Sequence, residues 1–431
     1  MSGNMLRTPR KRTVTQACRS HLRDLAGRYA EIALGDVMTH RREKWRLHNG
    51  LLAKTFPFHI EDNGRYLRDL CPPLTCEDPV CRDWEAQLVL ALVSYETIDD
   101  DRIIPDRFVV NHVTNVSGYC EELRFIRAES GGFGYKTNKP IQDIDADFHK
   151  LSKRTITLDR DKTEQRLAVA REMFEGLLPV ELGRVSSYYS DGITNKAVHL
   201  MGMQDLYLQM AMNPGAVHRL FTFLTDDNFA LGQWEEQQGL LTLNHDGNQG
   251  YCSGSSCFCD EIPGREIPQG QPVASTDRYG YLEAQEAAGL SPEMFGEFLM
   301  PHFRKLAGRF KLLKFGCCEP VHGFIGHLQQ LPGLRKVSVT PWCDQEKLAT
   351  DCNEDVIWCR KPVPLKLCGD KFDPADLRSH LQETLDIGAA HFIEFVFRDT
   401  NCLTGAMRER VQTACDIVRD VTGHAEGRKE A

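Results

Sequence analysis

The chain reads as an α/β protein: a (β/α)8 barrel of the TIM type with an N-terminal helical extension. Three observations predict this. Short β-rich runs alternate with amphipathic helical runs through most of the sequence. Polar and metal-ligating residue types follow nearly every β-rich run. The number of strand–helix units favours closure over an open sheet, and 431 residues accommodate one large core with extensions.

Residues 1–105 are expected to form the helical extension, with helices at 23–37 and 83–95 and a break at Cys71-Pro72-Pro73. The barrel is expected to occupy 106–431, opening on the run Phe108-Val109-Val110-Asn111-His112-Val113. Residues 128–160 are polar and contain glycines, which predicts a long excursion or lid. A helix over 162–178 places Leu167, Ala170, Phe174 and Leu177 on one face, and one over 214–238 does the same with Val217, Phe221, Leu224 and Leu231. Strands are expected at 184–188, 240–244, 311–315, 336–340, 356–359 and 391–397, and further helices at 292–310, 345–349, 374–387 and 404–421. Phe295, Leu299, Phe303, Leu306 and Phe310 recur at helical spacing and read as packing residues.

A net charge of −9 argues against broad backbone-driven nucleic-acid binding, and the single basic run, 7–12, reads as a solvated end. No apolar run reaches the length of a membrane span and no leader pattern is evident, so a cytoplasmic location is expected. The 16 cysteines are neither dense nor regular enough for a disulfide-stapled module and are expected to be free thiols. Cys71-x4-Cys76-x4-Cys81 and Cys252-x4-Cys257-x-Cys259 match no ferredoxin spacing well and read as ordinary loops.

In a barrel the chemistry belongs at the carboxyl ends of the strands. The expected ends carry Asn244-His245-Asp246, Cys317-Cys318-Glu319, Thr340-Pro341-Trp342, Cys359-Arg360-Lys361 and Arg398-Asp399. Glu319, Asp246 and Asp399 are carboxylates after separate strands, suited to holding or delivering a proton. Arg398, Arg360 and Lys361 suit an anionic substrate, while His245 and His112 are weaker candidates. Cys317 or Cys318 with His322, and a further thiolate from Cys359, Cys402 or Cys343, would give a zinc site with an open position. Strand alternation implies that only one of Cys317 and Cys318 faces it. The Gly/Ser-rich segment 247–256, which contains Tyr251, and Gly131-Gly132-Phe133-Gly134 lack the features of phosphate or dinucleotide loops and read as coverings of the site.

The order of these segments resembles the uroporphyrinogen decarboxylase-like superfamily over roughly 165–425. The residues carrying the resemblance are 200–203 leading to Glu236, Gly239 to Asp246, Asp277-Arg278-Tyr279-Gly280 before Ser291-Pro292, Cys317-Cys318-Glu319-Pro320, 336–342, and Arg360-Lys361-Pro362. The resemblance implies a zinc-assisted methyltransferase that moves a methyl group between a small methylated or methoxylated compound and a thiol or a corrinoid carried by a partner protein. Cys317 stands nearest the family's paired cysteine, Phe315 occupies the place of its histidine, and Cys402 is the counterpart of the later cysteine. His322 and Glu319 would then compensate. Asp246 and Asp399 would orient substrate, with His245 beside them, and Asn244, Tyr251, Trp342, Arg360 and Arg398 would bind it. No Asp-x-His-x-x-Gly cobalamin run is present, hence a separate corrinoid partner; a homodimer is expected. The alternatives are a metal-independent decarboxylase or lyase, although the decarboxylases' arginine-rich substrate motif is not evident, and a noncatalytic small-molecule-binding barrel.

Overall fold

A computed structural model describes residues 14–61, 65–127, 134–183, 192–244, 254–268 and 271–423. Their strands are β1 Phe58–Ile60, β2 Phe108–Asn111, β3 Thr114–Val116, β4 Phe125–Arg127, β5 Tyr135–Thr137, β6 Ile156–Leu158, β7 Val180–Gly183, β8 Tyr279–Leu282, β9 Leu312–Phe315, β10 Leu334–Val339, β11 Ile357–Arg360 and β12 Ile393–Phe397. The centre of the α/β architecture is a parallel six-stranded sheet in the order β1-β12-β11-β10-β9-β8, with helices packed on one face. A second parallel pair, β2-β7, stands apart from it in the hydrogen-bonding pattern. Among the described residues the ladder does not run continuously around a closed eight-stranded barrel. No described helix is long and apolar enough to cross a membrane.

Several helices begin where a capping side chain precedes proline. Asn213, Ser291 and Asp373 each accept a backbone N–H of the first turn, with Pro214, Pro292 and Pro374 as first helical residues. The helices Pro214–Gln237 and Pro374–Ile387 therefore start where the sequence predicts. The single helix expected over 292–310 is two, Pro292–Phe298 and Met300–Ala307, because Pro301 has no N–H to continue the first. Phe295 and Phe303 still pack as expected, Phe295 stacking on Phe324 with centroids 4.2 Å apart and Phe303 meeting Phe315 edge-on.

Two strands of the sheet escape the sequence pattern. β1 has only three residues, yet it pairs with β12, so the first 105 residues contribute a strand as well as helices. Asp100 anchors it by accepting the Ile60 N–H at 2.9 Å. β8 is obscured by Gly280, whose missing side chain admits Phe310; a Cβ there would stand 2.5 Å from that ring. Conversely, 240–244 is not a strand. Asn244 instead uses its side-chain amide to accept from Tyr279 N (3.0 Å) and donate to Tyr279 O (2.9 Å), lying along β8. The expected strand 184–188 lies outside the described residues, and β7 precedes it directly. Within 134–160 the excursion carries β5, which pairs antiparallel with β4, a short helix Ile144–Asp147, and β6 paired antiparallel with β3.

Alternation along each strand sorts side chains between two environments. Phe315, Trp358, Phe395 and Leu313 belong to the apolar core shared with the helices. The opposite face carries Lys314, Lys336, Cys359 and Glu394, all with no exposed surface. Lys336 Nζ bonds Glu394 Oε2 at 2.6 Å, Ser255 Oγ at 2.8 Å and Ser256 O at 3.0 Å, and Lys314 Nζ meets Cys359 Sγ at 3.0 Å. Burial opposes the Glu394 charge, but Lys336 and Lys314 outweigh it and hold the carboxyl below its ordinary value.

Truncating one member of a fully buried pair leaves an uncompensated charge. Lys336→Met is expected to cost about 3–5 kcal/mol in urea unfolding, whereas Lys336→Met/Glu394→Leu recovers most of that loss. Equal or additive destabilisation in the double variant would count against the pair as the inner anchor.

Candidate active site

The carboxyl ends of β8, β9, β11 and β12 bring one polar constellation together. β9 ends in Gly316, which adopts φ +99°, and a Cβ there would meet Ser338 Cβ at 3.1 Å and Val321 Cγ1 at 3.2 Å. This turn breaks the strand alternation. As a result the adjacent thiols of Cys317 and Cys318 lie 3.6 Å apart, where an uninterrupted strand would have sent them to opposite faces.

Cys317 is buried, and its thiol is held well below the ordinary value. Hydrogen bonding from Cys318 is the largest cause; burial works against it, while the positive Lys361 and Arg398 and the Tyr281 hydroxyl favour the thiolate. The Cys318 thiol moves upward because it serves as donor to Cys317, with burial adding to the shift. Lys361 also donates from Nζ to the Cys317 carbonyl. Its own proton affinity is lowered by burial, which the Cys317 charge partly offsets.

Two carboxyls complete the group. Glu319 is fully buried and accepts Cys317 N at 2.8 Å and Ala284 N at 2.7 Å, bracing the β9 end against the chain beyond β8. Burial raises its value in spite of these bonds. Glu283 follows β8; burial first, then the nearby Glu319 and Cys317 charges, push it up to about 8. Near neutral pH the site therefore pairs a thiolate with a protonated carboxyl, the combination needed for a nucleophile beside an acid. Arg398 is held by Glu61, beyond β1, at 3.1 Å. Burial opposes its charge, but Glu61 and then Cys317 raise its value overall. The neighbouring Asp399 is exposed with φ +59°, a left-handed conformation that aspartate tolerates better than most residues.

Of the residues expected at the site, Cys317, Glu319, Arg398 and Asp399 stand at these strand ends. Arg360 does not. It shares parity with Trp358, points to the helix layer, and bonds Thr384 Oγ1 at 3.2 Å and Thr340 O at 2.7 Å; Lys361, one residue on, takes the opposite face. Asn244 is committed to the Tyr279 backbone. Trp342 is 72% exposed on the loop after β10. His322 spends Nδ1 accepting Asp344 N at 3.1 Å, and Cys402 is exposed beside Cys368. The residues expected to bind zinc (Cys317, His322 and Cys402) are thus not drawn together, and among the described residues no three His, Cys, Asp or Glu side chains form a group able to hold a metal ion. His245, Asp246 and Tyr251 lie outside the described residues. Tyr281 and Glu283 were not anticipated. Their signal was the alternation Tyr279, Tyr281, Glu283, interrupted by the glycine of β8.

No protein-family model matches the sequence, and a search of curated proteins gives no match. Among solved structures, a methyltransferase from Methanosarcina mazei aligns with a TM-score of 0.46 and 11% identity, over 88% of this chain and 98% of that one.

Alkylation of Cys317 by iodoacetamide is expected to persist well below the ordinary thiol range. Lys361→Met should raise the thiol's apparent value by about 1 unit or more, read from the pH dependence of that rate. An unchanged rate profile in the variant would remove Lys361 from the thiolate's support.

Proposed function

We propose that the chain is a methyltransferase whose thiolate, Cys317, accepts a methyl group from a small methylated or methoxylated compound, in a divergent branch of the uroporphyrinogen decarboxylase-like superfamily. The observation that carries this reading is the meeting of a lowered thiol, Cys317, with a raised carboxyl, Glu283, where parallel strands end. The thiolate attacks the methyl carbon, the bond from that carbon to the departing oxygen or nitrogen breaks, and Glu283 gives its proton to the leaving atom. Lys361 and Arg398 favour an anionic donor, and Glu319 positions Cys317 by holding its backbone N–H. The sequence resemblance suggests a free thiol, or a corrinoid on a partner protein, as the onward acceptor. Among the described residues no three His, Cys, Asp or Glu side chains form a group able to hold a metal ion, so the step is assigned to the protein's own groups. In the same reading β2 and β7 belong between β1 and β8, completing a barrel around this mouth.

Incubation with isotopically methyl-labelled methoxylated acids and methylamines, followed by peptide mapping, is the direct test. Label on the peptide containing Cys317, lost in Cys317→Ala, is the expected result. Turnover of these compounds unaffected by Cys317→Ala, or abolished by exhaustive metal removal, would overturn this assignment.

The two shifted groups also set a pH profile. Activity rises as pH climbs through the depressed Cys317 value, because the thiolate forms, and falls as pH passes about 8, because Glu283 loses its proton. Glu283→Gln should lower kcat by roughly 10²-fold or more and remove the basic limb.

A further inference from the structure

A second group of thiols lies far from these strand ends in sequence, within the first hundred residues. Cys18 sits in the first turn of the helix Gln16–Leu34, Cys76 in the loop before the helix Pro79–Thr97, and Cys81 in that helix's own first turn. Each backbone is fixed. Thr15 Oγ1 accepts Cys18 N at 3.2 Å, Glu85 Oε2 accepts Cys76 N at 2.8 Å, and Asp78 Oδ1 accepts Cys81 N at 3.1 Å. Cys18 Sγ and Cys76 Sγ are 2.7 Å apart, and the Cys81 thiol lies within hydrogen-bonding reach of Cys18. Two thiolates bound at about 2.3 Å to one tetrahedral zinc would stand ~3.8 Å apart, so the Cys18–Cys76 spacing is too short for a shared metal ion. It is a spacing suited to sulfurs poised to bond each other.

We propose that Cys18 and Cys76 form a reversible disulfide that staples the helix Gln16–Leu34 to the loop before Pro79–Thr97, with Cys81 as a reserve partner for Cys18. Cys18 is partly exposed, whereas Cys76 and Cys81 are 2% and 1% exposed, so the oxidant meets Cys18 first. The oxidant class is a low-molecular-weight disulfide. The Cys18 thiolate attacks one of its sulfurs and expels a first small thiolate. The Cys76 thiolate then attacks Cys18 Sγ in the mixed disulfide and expels the second. The two cysteine protons end on the two small thiols, and the small disulfide is reduced by the electron pair that the cysteines give up. The staple spans 58 positions of sequence, so it constrains a long loop of the unfolded chain.

The test uses the full chain incubated with oxidised glutathione, its remaining thiols blocked with N-ethylmaleimide, and its peptides mapped without reduction. The expected main product is a Cys18–Cys76 linked peptide that dithiothreitol removes. Cys76→Ser should divert the link to Cys81, and Cys18→Ser should abolish both. Oxidised protein should melt a few degrees above reduced protein, with no difference in Cys18→Ser. Recovery of Cys18 as a blocked or glutathione-capped thiol without a linked peptide, in protein with a folded circular dichroism spectrum, overturns the proposal, as does a wild-type link that bypasses Cys76.

Discussion

Charge placed on the inner face of a parallel sheet has to be neutralised where it stands, and Lys336 and Glu394 do this across β11 with no exposed surface on either. Water cannot compensate for a misplaced partner there, so the pair discriminates among strand registers more sharply than apolar packing does. The same parity that puts Glu394 on this face puts Arg398 on it four residues later, and the parity of Cys359 puts Lys361 there two residues later. The register that satisfies the buried pair thus also aims the two cations of the site. Core and chemistry are consequences of one alignment.

The thiolate depends on a local exception to that regularity. Cys317 and Cys318 reach each other because Gly316 takes a conformation denied to most residues, and Cys318 can then direct its proton at its neighbour. Glu319 secures the turn from beneath through two backbone N–H groups, one from each side of the gap between β8 and β9. The carboxylate that stands out in the sequence as an acid/base candidate is therefore better placed as a brace. Glu283, the raised carboxyl, lies just beyond the strand that the sequence conceals.

What could be read from the chain follows the range of the forces involved. Helices beginning at Asn213-Pro214 and Asp373-Pro374 were legible because cap, proline and apolar spacing are all local. β9 to β12 were legible because buried parallel strands are short, largely apolar runs, and the places of Cys317, Glu319 and Arg398 followed from their ends. β1 was too short to register, and β8 carries a glycine whose purpose is visible only when Phe310 lies against it. Arg360 and Lys361 were both assigned to substrate because nothing in the pair of letters says which one faces the helices; Thr384 decides that from 24 positions away. The expected zinc ligands Cys317, His322 and Cys402 were open to the same ambiguity, since convergence of ligands is tertiary information.

Arg360 and Lys361 also bear on how such a chain can change over time. Loss or gain of one residue within β11 would exchange their faces, placing a guanidinium on the inner surface and withdrawing its hydrogen bonds from Thr384 and the Thr340 carbonyl in the same event. Core and mouth would fail together, so tolerated change is expected at the strand ends and in the loops beyond them. The strands behave as a fixed reading frame, and the variable text is written after each one stops.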